Sequence, residues 1–163
     1  MNQQANTPKY FDLHTSGIGY LRRVREVNPT GTKGRSKAKP FLACSISAFY
    51  GEAGDQDSIN YTYFDVKVVG EKAKEVVRDL QEAANDKNRK VIIVFKLGDL
   101  YVDTFTYTQG DRAGQTGFQL KGRLLQIKMA KVDGETVYVA SDEAEEGENS
   151  DQQDGQERTG TEG

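Results

Sequence analysis

Residues 59–84, INYTYFDVKVVGEKAKEVVRDLQEAA, change from a strand pattern to a helix pattern at Gly70. Before this glycine, Phe64, Val66 and Val68 alternate with polar or aromatic residues, which is typical of a half-buried strand. After it, apolar residues recur every three or four positions, which predicts an amphipathic helix. Its predicted buried face consists of Ala73, Val76, Val77, Leu80, Ala83 and Ala84.

The other strands are assigned from apolar alternation bounded by glycine, proline and polar runs. They cover 17–27, 41–50, 90–107 with a bend at Gly98-Asp99, and 118–131, and a short hairpin at 132–135 leads into 136–140. The order of three strands, one helix and two strands is that of an OB-fold, a small barrel that commonly binds oligonucleotides. We therefore predict an all-β protein with one helix: a five-stranded OB-fold barrel with an extra C-terminal hairpin.

Charge divides the chain into a basic body and an acidic end. Residues 1–140 contain 21 Lys and Arg against 16 Asp and Glu, a net of +5, whereas residues 141–163 contain one Arg against nine acids, a net of −8. The acidic end lacks core-forming side chains, which predicts disorder. The expected organisation is a flexible N-terminus at 1–9, the OB-fold domain at 10–140 and a disordered acidic tail at 141–163.

Composition argues against a membrane protein, a metalloprotein or an enzyme. No stretch approaches the ~18 apolar residues of a membrane span, and the N-terminus lacks a signal-peptide layout. One histidine and one cysteine cannot form a standard zinc site, and we expect no cofactor. Cys44 lies on the apolar face of its strand with Leu42 and Ile46, as a small core residue. Asp65, Asp99 and Asp103 lack an accompanying catalytic motif. A cytoplasmic, non-catalytic protein is expected.

Binding an unpaired nucleic-acid strand requires cations for the phosphates and exposed rings for the bases. The densest group of cations lies in the first strand and the loop after it: Arg22, Arg23, Arg25, Lys33, Arg35, Lys37 and Lys39. The alternative for this group is a loop kept soluble by its charge.

Aromatic residues supply the second requirement. Tyr61, Tyr63 and Lys67 fall on the strand face opposite Phe64, Val66 and Val68, so burial of the apolar side chains exposes the tyrosines. Further candidates on and after the fourth strand are Tyr101, Phe105, Tyr107 and Arg112. Cross-strand packing or a subunit interface would use the same rings. The residues together predict a single-stranded-DNA-binding surface.

From GIGYLRRVREVNP to about Lys131 the chain resembles the bacterial single-stranded-DNA-binding protein (SSB) family. YTYFDVKVVGEKAKEVVRDL is similar to its third strand and helix, and Tyr63 falls where that family has a base-stacking tryptophan. VIIVFKLGDLYVDTFTYTQGDRAGQTG is similar to its fourth strand and hairpin, with Tyr101 close to a second stacking position. The resemblance implies single-stranded DNA as the partner and a homotetramer or homodimer.

Residues 10–140 also resemble a replication-associated family encoded on bacterial integrative and conjugative elements. The shared strings are YFDLHTSGIGYL, FLAC, LGDLYVDTFTY and KVDGETVY. This resemblance implies protection of single strands during replication or transfer of a mobile element, with replication or conjugation proteins as partners. The SSB tail ends in a hydrophobic tip, whereas this sequence ends RTGTEG, which puts recruitment through such a tip in doubt.

Two other functions remain open from the sequence. An OB-fold adaptor would join a replication or conjugation complex with little DNA affinity of its own. An RNA or duplex binder would use the same cations, although exposed rings favour unpaired bases.

Overall fold

The computed structural model describes residues 9–29 and 39–141. The elements are β1 (His14–Val27), β2 (Phe41–Tyr50), a 3-10 turn (Gln56–Ser58), β3 (Asn60–Val68), α1 (Glu71–Ala84), β4 (Val91–Thr106), β5 (Thr116–Val132) and β6 (Glu135–Val139). They form one compact unit, His14–Val139. No helix in the described ranges has the length and apolar character that a membrane span needs.

The strands form one sheet in the order β3-β2-β1-β4-β5-β6. Neighbours in this order are antiparallel, and a parallel pairing of β3 with β5, in which Phe64 lies opposite Leu120, closes the first five strands into a barrel. The α-helix connects β3 to β4, and β6 extends the sheet as a hairpin with β5. The predicted OB-fold barrel with an extra C-terminal hairpin is confirmed.

The core follows the predicted alternation. Leu42, Cys44 and Ile46 of β2 are buried, and so are all six residues assigned to the apolar face of α1. Phe95 of β4 is among the largest fully buried side chains. Each fully buried side chain of this size contributes roughly 1.5–3 kcal/mol through removal of apolar surface from water.

Strand β1 begins earlier than the sequence pattern indicated. We expected it at 17–27, but it starts at His14, since His14, Thr15 and Ser16 pair with Gly98, Leu97 and Lys96 of β4. These residues are polar and show no alternation of their own. The pairing with a partner about eighty positions away defines them as a strand, which local pattern cannot reveal.

A bulge interrupts β1 where it contacts the end of the helix. The register with β2 shifts between Arg22 and Arg25, and Arg23 adopts a φ of 50°. Val24 donates its backbone N–H to Asn85 Oδ1 at 2.8 Å, and Asn85 Nδ2 donates to the Val24 carbonyl at 2.9 Å. The Asn85 amide therefore takes the place of a strand partner for the bulged segment.

Burial raises the pKa of the Cys44 thiol from 9.0 to about 12, and the nearby Asp65 carboxylate adds to the rise. The unfolded chain loses this proton first, so the free energy of unfolding falls as pH rises from about 9 towards 12. At pH 8 the native thiolate fraction is therefore far below that of the unfolded chain, and the thiolate is the reactive form. We expect Ellman's reagent to label Cys44 rapidly only in denaturant. Equal labelling rates for folded and unfolded protein would contradict the buried position.

Candidate nucleic-acid interface

Four aromatic rings form a continuous group on the outer face of β1, β2 and β3. The ring centroids of Tyr20 and Phe49 are 4.9 Å apart, those of Phe49 and Tyr61 5.6 Å, and those of Tyr61 and Tyr63 6.5 Å. Tyr20 also lies 6.3 Å from Tyr61. We call these four residues the aromatic row. It crosses three adjacent strands, as a platform for successive bases requires.

The four side chains of the aromatic row differ in the fraction that is exposed and therefore available to a ligand. Tyr63 is 66% exposed and Tyr61 is 41% exposed, whereas Tyr20 and Phe49 are half-buried. Tyr61 packs against both half-buried rings, so the cross-strand packing considered from the sequence does occur for this residue. Tyr63 has one ring neighbour and leaves most of its surface open.

Two cations lie over aromatic rings on these strands. The Arg22 guanidinium is 5.3 Å from the ring centre of Tyr20, a member of the aromatic row, and Lys67 Nζ is 4.9 Å from the ring centre of Phe41, which lies outside the row. Arg25 donates to Asp65 Oδ1 at 2.7 Å, so its charge is already partly neutralised within the protein. The bulge leaves both Arg22 and Arg23 exposed, because it disturbs the alternation of β1 at this point.

The remaining predicted aromatic residues lie around the β4–β5 hairpin. The expected bend occurs at Asp99, where φ is 53° and the register shifts, and the exposed Tyr101 follows it. Phe105 and Tyr107 pack edge to face with centroids 4.9 Å apart. Tyr107 lies one residue beyond β4 rather than within it, because pairing with β5 ends at Thr106. Arg112 donates to the Tyr107 hydroxyl at 3.3 Å.

An open apolar groove of about 480 Å³ lies between β3 and the β4–β5 hairpin. Its lining residues are Thr62, Tyr63, Val102, Phe105, Phe118, Gln119 and Leu120. Phe118 is 73% exposed and Val102 is 60% exposed. We call this groove between β3 and the β4–β5 hairpin the hairpin groove. Tyr63 belongs both to this groove and to the aromatic row, so the two surfaces are continuous.

The aspartates considered from the sequence each face a cation. Asp99 accepts from Arg123 at 3.0 Å, Asp103 lies 3.1 Å from Lys121, and Asp65 pairs with Arg25. Each of these three carboxylates therefore has a cationic partner within 3.1 Å. Within the described ranges, no cluster of three or more His, Cys, Asp or Glu residues is suited to a metal ion.

Part of the predicted basic segment lies outside the described residues. Lys33, Arg35 and Lys37 fall there, as does the acidic tail after Ser141. Lys39 is described and exposed, immediately before Pro40.

The sequence prediction missed Tyr20, Phe49 and Phe118. The signal for the first two was present, because Tyr20 alternates with the buried Leu21 and Phe49 with the buried Ala48. No local signal marks Phe118, whose exposure depends on where the hairpin projects from the barrel.

Comparisons with known proteins define a family. The family described as "Protein of unknown function (DUF3577)" matches residues 4–146, and the chain belongs to it. No curated protein matches the chain. Among solved structures, it is similar to a small single-stranded DNA-binding protein from Streptomyces coelicolor, with 14% identity and a TM-score of 0.42, over 71% of this chain and 91% of that chain.

Proposed function

We propose that this protein binds single-stranded DNA by stacking bases on the aromatic row. The observation that carries the proposal is a row of rings across three strands whose most exposed member, Tyr63, is open to solvent. Unpaired bases present flat faces that stack on such rings, whereas the bases of a duplex are covered by their neighbours. The proposed ligand is therefore an unpaired strand.

Phosphate contacts in this proposal come from cations that flank the rings. Arg22 and Lys67 lie next to aromatic rings on the same sheet face, and Arg23 projects from the bulge. Asp65 reduces the positive charge near the row by pairing with Arg25. Among the residues that the structure describes, the proposed interface is thus moderately basic, and stacking supplies a large share of the affinity.

The biological role that we propose is protection of single strands during replication or conjugative transfer of a mobile element. It comes from the family resemblance described for residues 10–140. A bacterial cytoplasmic location and a homo-oligomeric state belong to the same proposal.

The test is a titration of fluorescently labelled oligo-dT with the protein, followed by anisotropy at low and at moderate salt. A duplex of equal length is titrated in parallel. We expect tight binding to oligo-dT, weak binding to the duplex and a fall in affinity as salt rises. Absence of binding to either ligand at low salt would overturn the proposal.

The hairpin groove favours a second candidate, docking of another protein. Phe118 and Val102 expose apolar surface next to Leu120, without a nearby unpaired cation in the groove lining. An adaptor would use this groove and show little affinity for oligo-dT. The titration therefore distinguishes the two candidates.

A further inference from the structure

Three lysines lie along two neighbouring strands, β4 and β5, on the outer face of the sheet, beyond the residues assigned above. Lys96 of β4 lies between the buried Phe95 and Leu97, so it points away from the core. Lys131 of β5 follows the buried Ala130, and Lys128 occupies a bulge where the β4–β5 register shifts. We call Lys96, Lys128 and Lys131 the lysine strip.

Within the described part of the chain, no acidic side chain forms an ion pair with the lysine strip. Elsewhere on β5, Lys121 and Arg123 each have an aspartate within 3.1 Å. None of the six ion pairs found among the described residues includes a member of the strip. All three lysines are half-buried, so the attraction of each for an anion is less screened than it would be at a fully exposed site.

The side chains around the lysine strip are apolar or neutral. By register, Ile18, Val94, Met129 and Val139 follow one another across four strands. Glu135, the acidic residue of β6, lies opposite Val132, which packs against the core. A second copy packed on this face about a two-fold axis would bring two sets of lysines together. A polyanion fits the face better than a second copy does.

The lysine strip is continuous with the aromatic row. Tyr63 lies opposite Ser47, Ser47 opposite Tyr20, Tyr20 opposite Ile92, and Ile92 opposite Lys131. Neighbouring strands are about 4.8 Å apart, so the backbone of Lys131 is two strands, or about 10 Å along the sheet, from that of Tyr20.

We propose that the lysine strip binds the phosphates of the same single strand after it leaves the aromatic row. This inference rests on the proposed function. DNA then crosses five strands of the barrel rather than three, and the strip extends the binding site without stacking bases. The chemistry recognised is the phosphodiester backbone, so this segment of the site is indifferent to base identity.

The test compares K96Q/K128Q/K131Q with wild type on two lengths of oligo-dT. The short one, of about 5 nucleotides, is near the lower end of the site sizes of single OB-folds, and the long one, of about 30, exceeds their upper end. We expect unchanged affinity for the short oligonucleotide. For the long one, affinity falls, and the slope of log affinity against log salt becomes shallower by about 2, because each phosphate contact on a single strand contributes ~0.7.

The matched control is K72Q/K74Q/R78Q on the helix, which removes the same charge from another surface. K96R/K128R/K131R keeps the charge and should bind like wild type. Equal losses for strip and control variants, or unchanged binding of the long oligonucleotide, would overturn the inference. So would a change in the mass of the free K96Q/K128Q/K131Q protein with unchanged binding, which would indicate self-association. If wild type binds neither length, the proposed function itself fails.

Discussion

Replacing Tyr61 and Tyr63 by alanine is expected to weaken the free energy of binding to oligo-dT by about 2–6 kcal/mol, since loss of one stacking ring costs ~1–3 kcal/mol. We expect Tyr63→Ala alone to account for a large part of this loss, because its ring is the more exposed. The Tyr61 ring also packs against Phe49, so the loss of the Tyr61 ring also removes a contact within the aromatic row. The measurement is anisotropy of labelled oligo-dT at one fixed salt concentration.

Y61F/Y63F is the matched control, because it keeps both rings and removes only the hydroxyls. We expect its affinity to stay close to that of wild type, and the circular dichroism spectrum of both double variants to match that of wild type. If the alanine variant kept its DNA affinity but changed in mass by light scattering, the rings would form a subunit interface instead.

Asn85→Ala is expected to lower the free energy of unfolding by about 2–3 kcal/mol. The Asn85 amide bonds both the N–H and the carbonyl of Val24, which have no partner in β2 at the bulge. Its loss leaves two part-buried backbone groups unsatisfied, and each costs about 1–1.5 kcal/mol, the lower end of the ~1–3 kcal/mol range, because their burial is partial. Gln81, whose Nε2 is 3.5 Å from the Val24 carbonyl, offers only a weak substitute. Urea unfolding followed by circular dichroism measures the effect.

Asn88→Ala is the matched control for Asn85→Ala, because it makes the same substitution three positions later, at an exposed residue after the helix. Its side chain makes no hydrogen bond to the described residues, and only its backbone N–H bonds to Asp86. We expect a change of no more than ~0.5 kcal/mol, as for ordinary surface sites. Equal destabilisation by the two variants would show that the contact with β1 contributes nothing.

The elements of the fold were predictable because their signals are local. The alternation of Leu42, Cys44 and Ile46 marks a strand without any knowledge of its partners, and the spacing of Val76, Val77 and Leu80 marks the buried face of a helix. A barrel followed from the order of these elements.

Which residues become neighbours on the sheet surface depends on the register of the strands, and local sequence patterns do not specify that register. The rings of Tyr20 and Tyr61 are neighbours only because β1 and β3 both pair with β2. Lys131 lies on the same sheet face as Tyr20, two strands away, only because β4 pairs with both β1 and β5. The left-handed backbone conformation of Arg23 could not be predicted either, since nothing in GIGYLRRVREV distinguishes this residue from its neighbours. Its conformation follows from the fit between β1 and Asn85 at the end of the helix.

The parallel pairing of β3 with β5 has a consequence for folding. The first three strands form a meander with local contacts, but both of its edges gain their partners late: β1 from β4 and β3 from β5. Contacts between distant segments slow folding, because the intervening chain must be ordered before they form. During synthesis we therefore expect the aromatic row to be complete in sequence early, and the sheet that carries it to become stable only after β5, the last barrel strand, has been made.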